Sequence, residues 1–154
     1  MPSPTLIIGY GSQLRGDDAV GIVTVDALAS LDLPQTRCLT CHQLTPELAT
    51  DLAPAGRVIF VDACFSLPDS PPQPRIQRVY PSPSPTGYST SVHHATPTGL
   101  LDLCYTLHGQ APEAWLVAIP GAHFDTCLTL SPSAQQALHH ARHAILNLLD
   151  QPKV

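Results

Sequence analysis

The chain has 154 residues, enough for one compact domain spanning residues 1–154, and 44% of them are apolar. Only 12% are charged, against about 25% in an average globular protein, and the formal net charge is −5. With a single lysine, Lys153, and no basic stripe, nucleic acid is excluded as an expected partner; no run reaches the ~20 apolar residues of a membrane span, which excludes a membrane role.

The opening "MPSPTLIIGYG" lacks the basic region and the apolar length of a secretory signal, so a cytoplasmic protein is expected. Five cysteines are then free thiols in a reducing compartment.

Taken in chain order, Thr5–Gly9 is a short apolar run ending in glycine and reads as a buried strand. The glycine turn "GYGSQLRGDDAVG" follows. Asp18–Leu31 then carries apolar residues at Val20, Val23, Leu28 and Leu31, with Ala27 between, which is close to helical spacing, and the proline of "LDLPQ" ends that helix. Arg37–His42 reads as a second strand. Thr45–Ala53 reads as a short helix with Thr45 as N-cap, Pro46 at the first helical position and Glu47 in the first turn. Arg57–Ala63, "RVIFVDA", is a β-branched and aromatic run without a polar break, hence a strand buried on both faces.

Ser66–Pro74 is a proline-rich loop, Arg75–Tyr80 a more exposed strand, and "PSPSPTGYSTS" a loop without periodicity. Pro97–Leu107 reads as a helix with Leu100, Leu101 and Leu103 inward, and "AWLVAIP" as a fifth strand. Ser131 caps a last helix over Pro132–Leu149, whose apolar face includes Leu138, Ile145, Leu148 and Leu149. Strands alternating with helices imply an α/β fold, a three-layer α/β/α sandwich around a twisted, mostly parallel five-stranded sheet.

In such folds ligands sit beyond the carboxyl ends of the strands, where strand order reverses. Asp17 and Asp18 follow the first strand and Asp62 closes the third. Strands one and three are neighbours in most doubly wound orders, so Asp18 and Asp62 should share a cleft. His93 and His94 precede the next helix on the same side. Two carboxylates and an imidazole suit a borderline divalent metal such as nickel or zinc. The competing reading is that Asp17 and Asp18 only cap a helix, which is worth about 0.3–1 kcal/mol. It fits Asp62 less well, because an unpaired buried carboxylate is costly.

Other chemistries fit poorly. "GYGSQLRG" places Leu14 at the third glycine of a dinucleotide fingerprint, lacks the Lys-Ser/Thr of a phosphate loop, and would set an anion against two acids. "CLTCH", Cys38–His42, matches a haem-attachment pattern, but strand alternation sends Cys38 and Cys41 to opposite faces. No G-x-S-x-G elbow is present, and a Cys64–His93 pair competes with a structural cysteine.

The glycine turn followed by D-D-x-x-G, with "HQLTPELA", "VIFVDA", a histidine seven residues before a leucine pair, and "IP…F…LSP", resembles the hydrogenase maturation proteases over Thr5 to about Leu149. "HQLTPELA" looks most like members that serve the bidirectional, NAD-coupled nickel–iron hydrogenase. The resemblance implies an endopeptidase that removes a C-terminal extension from the nickel-loaded precursor of the large subunit. It implies three metal-binding side chains, Asp18, Asp62 and His93, with nickel supplied by the precursor and no metal held tightly by the free enzyme. His93 matches better than His94, because Leu100 and Leu101 stand seven and eight residues after it. Asp17 would orient the turn or act as a base, with support the favoured role. The chain departs from the family pattern at Ser12, Ala19 and Cys127, where the family usually has asparagine, glycine and glycine. A non-catalytic chaperone that holds the immature large subunit with the same residues is the rival reading.

Overall fold

The computed structural model describes residues 3–82 and 95–153. Its sheet has five strands: β1 (Thr5–Tyr10), β2 (Thr36–Cys41), β3 (Arg57–Phe65), β4 (Arg75–Val79) and β5 (Glu113–Gly121). They lie in the order β2-β1-β3-β5-β4; β4 alone runs antiparallel, against β5. The helices are α1 (Val20–Ala29), α2 (Leu48–Leu52), α3 (Pro97–His108) and α4 (Pro132–Asp150).

Period-two alternation on β3 feeds two cores. Ile59 and Val61 face α1 and α4, together with Ile7, Val25, Leu28, Ile119 and Ile145. Val58 and Phe60 face α2 and α3, together with Leu6, Ile8, Leu52, Leu100 and Leu101. All four β3 residues are fully buried, which is why that strand is an unbroken apolar run. The result is an α/β/α sandwich, as the alternating pattern implies.

Several expectations need correction in detail. The helix read from Asp18 begins as a 3-10 turn, Gly16–Ala19, before α1 starts at Val20. Of the apolar residues at helical spacing, Val23 on α1 and Leu31, two residues beyond its end, are 40% and 45% exposed. The orientation of α1 is fixed by Gly21 instead: a Cβ there would stand 2.4 Å from the Val61 carbonyl oxygen, so the helix lies directly on β3. That rotation buries Thr24, whose hydroxyl donates to Val20 O at 2.7 Å and so stays satisfied.

Thr45 is not a side-chain cap. Three successive i→i+3 bonds, from Leu48, Ala49 and Thr50 N–H to Thr45, Pro46 and Glu47 O, lead into a five-residue helix. The Thr45 hydroxyl bonds the Glu47 carboxylate instead and lowers its pKa. Ser131 does cap α4, accepting from Ala134 N–H at 3.2 Å.

At the amino edge of the sheet, Arg57 is 1% exposed and pairs with Glu113. Its guanidinium also donates to the carbonyls of Leu148, Gln151 (3.0 Å) and Pro152 (2.9 Å), which pins the end of α4 under the sheet. Removing one member leaves a buried charge unpaired. Glu113→Ala is therefore expected to lower unfolding free energy by about 3–5 kcal/mol in urea titration, and a loss under ~1 kcal/mol would contradict this account of the pair.

Candidate functional site

β1 and β3 are adjacent, and the chain departs from them in opposite directions along the sheet, so their carboxyl ends border the crevice where ligands bind in such folds. The glycine turn shapes one wall. Gly11 has φ +146°, and a Cβ there would lie 2.0 Å from the Asp18 carbonyl oxygen. Only glycine permits that return of the chain onto itself. It brings Ser12 N–H to Asp18 Oδ2 at 2.7 Å, which fixes a half-buried carboxylate at the crevice.

The neighbouring acid has a different task. Asp17 is fully buried and its carboxylate accepts four hydrogen bonds. Oδ2 takes Ala122 N–H (2.7 Å), His123 N–H (3.0 Å) and the Ser131 hydroxyl (2.7 Å); Oδ1 takes Ser131 N–H (2.7 Å). Burial pushes this carboxyl upward, but the bonds from Ser131, His123 and Ala122 outweigh it and hold the group below the ordinary carboxylate range. Neither acid caps α1. Asp17 bolts the loop after β5 and the first turn of α4 to the turn after β1. Backbone bonds from Gly16 N–H to Cys127 O (2.9 Å) and Cys127 N–H to Leu14 O (3.0 Å) complete the seam.

Asp62 stands on β3 three residues before the strand ends, not at its last residue. Oδ1 accepts Ala63 N–H at 2.8 Å, and the carboxylate is hydrogen-bonded to the Tyr10 hydroxyl. Burial raises it most; the Ala63 and Tyr10 bonds pull it down; the Asp18 charge pushes it up again, to about 6. Burial and the Asp62 charge likewise raise the Tyr10 phenol. The influences on Asp62 include no positive charge among the described residues, and Arg15, the basic residue of the turn, donates to Phe124 O at 3.3 Å. Two carboxylates that repel each other in a half-buried crevice make an environment suited to a cation.

Asp18 and Asp62 are thus brought within electrostatic reach, while His93 and His94 lie outside the described residues. Among the described residues no group of three His, Cys, Asp or Glu side chains forms a metal cluster. Cys38 packs toward the α1–α4 core and Cys41 toward the α2–α3 core, so "CLTCH" offers no paired thiols. Cys127 does not take a positive φ, so the loop needs no glycine there. Ser12 uses its backbone N–H on Asp18, while its Oγ accepts from Leu14 N–H at 3.3 Å, so that contact to Asp18 needs no asparagine side chain. Sequence reasoning passed over Tyr10. The signal available was its place between two glycines, one residue beyond the Gly9–Val61 pair of the β1–β3 register.

No protein-family model matches the sequence, and no curated protein does. Solved structures do. The hydrogenase maturating endopeptidase HybD from E. coli aligns over 95% of this chain and 91% of its own at 22% identity, with a TM-score of 0.69. The nickel–iron hydrogenase maturation protease HycI from Thermococcus kodakarensis aligns over 97% and 94% at 18% identity, with a TM-score of 0.72. A hydrogenase 2 maturation peptidase from a Thaumarchaeota archaeon aligns over 96% and 98% at 24% identity, with a TM-score of 0.67. This chain has the hydrogenase maturation protease fold. No helix among the described residues is long and apolar enough to cross a membrane.

Two outcomes follow from the opposite environments of the acids. An asparagine at position 17 would turn an amide N–H₂ toward groups that already donate. Asp17→Asn is expected to cost about 2–4 kcal/mol at neutral pH in urea titration, and a variant as stable as the parent would refute the bolt. Asp62 behaves in reverse. Its folded carboxyl, at about 6, lies above the ordinary 3.8, so the folded form keeps a proton that the unfolded form releases between those values. Stability therefore falls as pH rises through that window, and the loss is complete above it. In metal-free protein, Asp62→Asn should melt a few degrees higher than the parent at about pH 8, a gain of about 1–2 kcal/mol once solvent screening is allowed for. At about pH 4 the gain should vanish; equal melting at the higher pH would contradict the burial of Asp62.

Proposed function

We propose that this chain is an endopeptidase of the cytoplasm that removes a C-terminal extension from the nickel-loaded precursor of a nickel–iron hydrogenase large subunit. One observation carries the reading: on a hydrogenase maturation protease fold, Asp18 and Asp62 stand together at the carboxyl edge of β1 and β3, with Asp62 held up by burial and by the charge of Asp18. The "HQLTPELA" stretch supports the bidirectional, NAD-coupled hydrogenase as the one served.

In this reading Asp18, Asp62 and His93 meet the nickel that the precursor already holds. Ser12 N–H and Ala63 N–H orient the two carboxylates, and the Tyr10 hydroxyl bonds the second. Recognition of the ion makes cutting conditional on metal loading. A divalent ion at this point can polarise the scissile carbonyl or acidify a bound water. Asp17 supports the arrangement from behind: its lone pairs are taken by four donors, which leaves it unsuited to serve as a base. A resident catalytic zinc commonly takes two ligands from one compact motif such as H-E-x-x-H, which this sequence lacks. Ligands from three separate segments fit an ion delivered by a partner.

The test is to incubate the protein with precursor made with and without nickel and to weigh the precursor afterwards. Loss of a C-terminal peptide from the nickel-loaded form alone is expected. Binding without loss of mass would point to a chaperone, and cleavage of nickel-free precursor to an ordinary protease. Asp62→Ala should abolish processing in a folded protein. His93→Gln should impair it far more than His94→Gln; equal losses would show that the wrong imidazole was chosen.

A further inference from the structure

Next to Asp18 the chain leaves a second feature that the acids do not account for, a cleft of about 460 Å³. One wall is the turn Gly11–Leu14, the floor is Ile22 of α1, and the far wall is Thr40–His42 at the end of β2. We infer that this cleft is a specificity subsite that takes an uncharged, apolar side chain of the precursor's C-terminal segment, next to the bond that is cut. The inference rests on the protease reading and adds which residues of this chain choose the sequence.

Three observations carry it. The first is position. Ser12 lines the cleft and its N–H holds the Asp18 carboxylate at 2.7 Å, so a peptide whose reacting bond lies at Asp18 must send a neighbouring residue along this wall. The second is charge. No carboxylate, guanidinium or ammonium group lines the cleft; its ionisable side chains are the Cys41 thiol, which burial pushes up so that it stays neutral, and the His42 imidazole on the far wall. A charged side chain would lose water here for no fixed opposite charge in the lining, and the Asp18 carboxylate beside the cleft is already engaged by Ser12 N–H. The third is surface. Leu14 is 63% exposed over an Ile22 that is otherwise buried, so apolar area remains for an occupant to cover at ~25 cal/mol per Å². The volume lies within the ~300–1,000 Å³ range of ligand clefts.

Thr40 and Leu14 are exposed, so changing them tests the cleft without disturbing the core. Thr40→Trp fills it, and Leu14→Asp makes it acidic. Both variants are first shown to melt with the parent. With nickel-loaded precursor, Thr40→Trp should raise KM roughly tenfold while kcat stays within about threefold, because only binding next to the cut is lost. A precursor with glycine in place of the apolar residue beside the cut should raise the parent's KM similarly, and Thr40→Trp should add little more, as expected of two changes at one contact. A lysine there should be favoured by Leu14→Asp over the parent. Unchanged KM, or effects that simply add, would overturn the subsite. Binding of a fluorescent peptide that spans the cut is read separately by anisotropy. Processing by the parent with equal peptide binding in all three proteins overturns the cleft and leaves the protease standing. Peptide binding that is lost in both variants, without processing by the parent, keeps the cleft and overturns the protease.

Discussion

The crevice at the carboxyl edge of the sheet depends on one buried anion. Asp17 has no contact with solvent, and its four donors come from two segments more than a hundred residues away in sequence. A carboxylate is stable in such a place only when its lone pairs are occupied. The requirement works in both directions. The loop after β5 must present Ala122 and His123 N–H, and α4 must begin with a serine that offers both its N–H and its hydroxyl. Ser131 thereby does two jobs, donating to Asp17 and capping Ala134. Glycine at position 121 belongs to the same constraint, since a Cβ there would lie 2.6 Å from Asp17 Cβ.

With that bolt in place, two adjacent acids divide into a buried, satisfied anion and a carboxylate held at the crevice. The 3-10 turn sends Asp17 inward, and Gly11 lets the chain fold back so that Asp18 is held at the crevice by Ser12 N–H. Across from it, Asp62 keeps a carboxyl that burial and a like charge both disfavour in ionised form. Asp17 is a satisfied anion that stabilises the fold, whereas Asp62 costs the fold something at neutral pH. A residue retained at a cost to stability is a sign of function, and the cost would be relieved by a cation. The neutral cleft beside the pair extends the same logic, because it offers shape and apolar surface where the acids offer charge.

Much of this was legible in the sequence, for physical reasons. β3 announces itself because a strand buried on both faces has no polar break, and α4 because Ser131-Pro132 is a cap followed by a residue pre-set for the first turn. The meeting of Asp18 and Asp62 follows from the adjacency of strands one and three. What escaped depends on close approaches that periodicity does not encode. Helical spacing alone does not say which side of α1 meets the sheet; Val23 faces solvent because Gly21 fixes how α1 lies on β3, a backbone contact with no side-chain signature. The division between Asp17 and Asp18 came from the family resemblance alone, because the donors that bury Asp17 are supplied from residues 122–131 and leave no mark on the doublet itself. The part of Tyr10 depends on inter-strand register, and the short α2 on a local Thr45–Glu47 bond that displaces the expected cap.

The central claim is that this protein adds its own ligands to an ion carried by its substrate. X-ray absorption at the nickel edge tests it most directly, with nickel-loaded precursor measured alone and then with an excess of this protein held from turnover at low temperature. The account predicts that binding adds oxygen or nitrogen scatterers to the nickel shell, and that Asp62→Asn protein, bound to the same precursor, adds fewer. A nickel spectrum unchanged by a bound protein would show that Asp18 and Asp62 do not reach the ion, and would contradict the account.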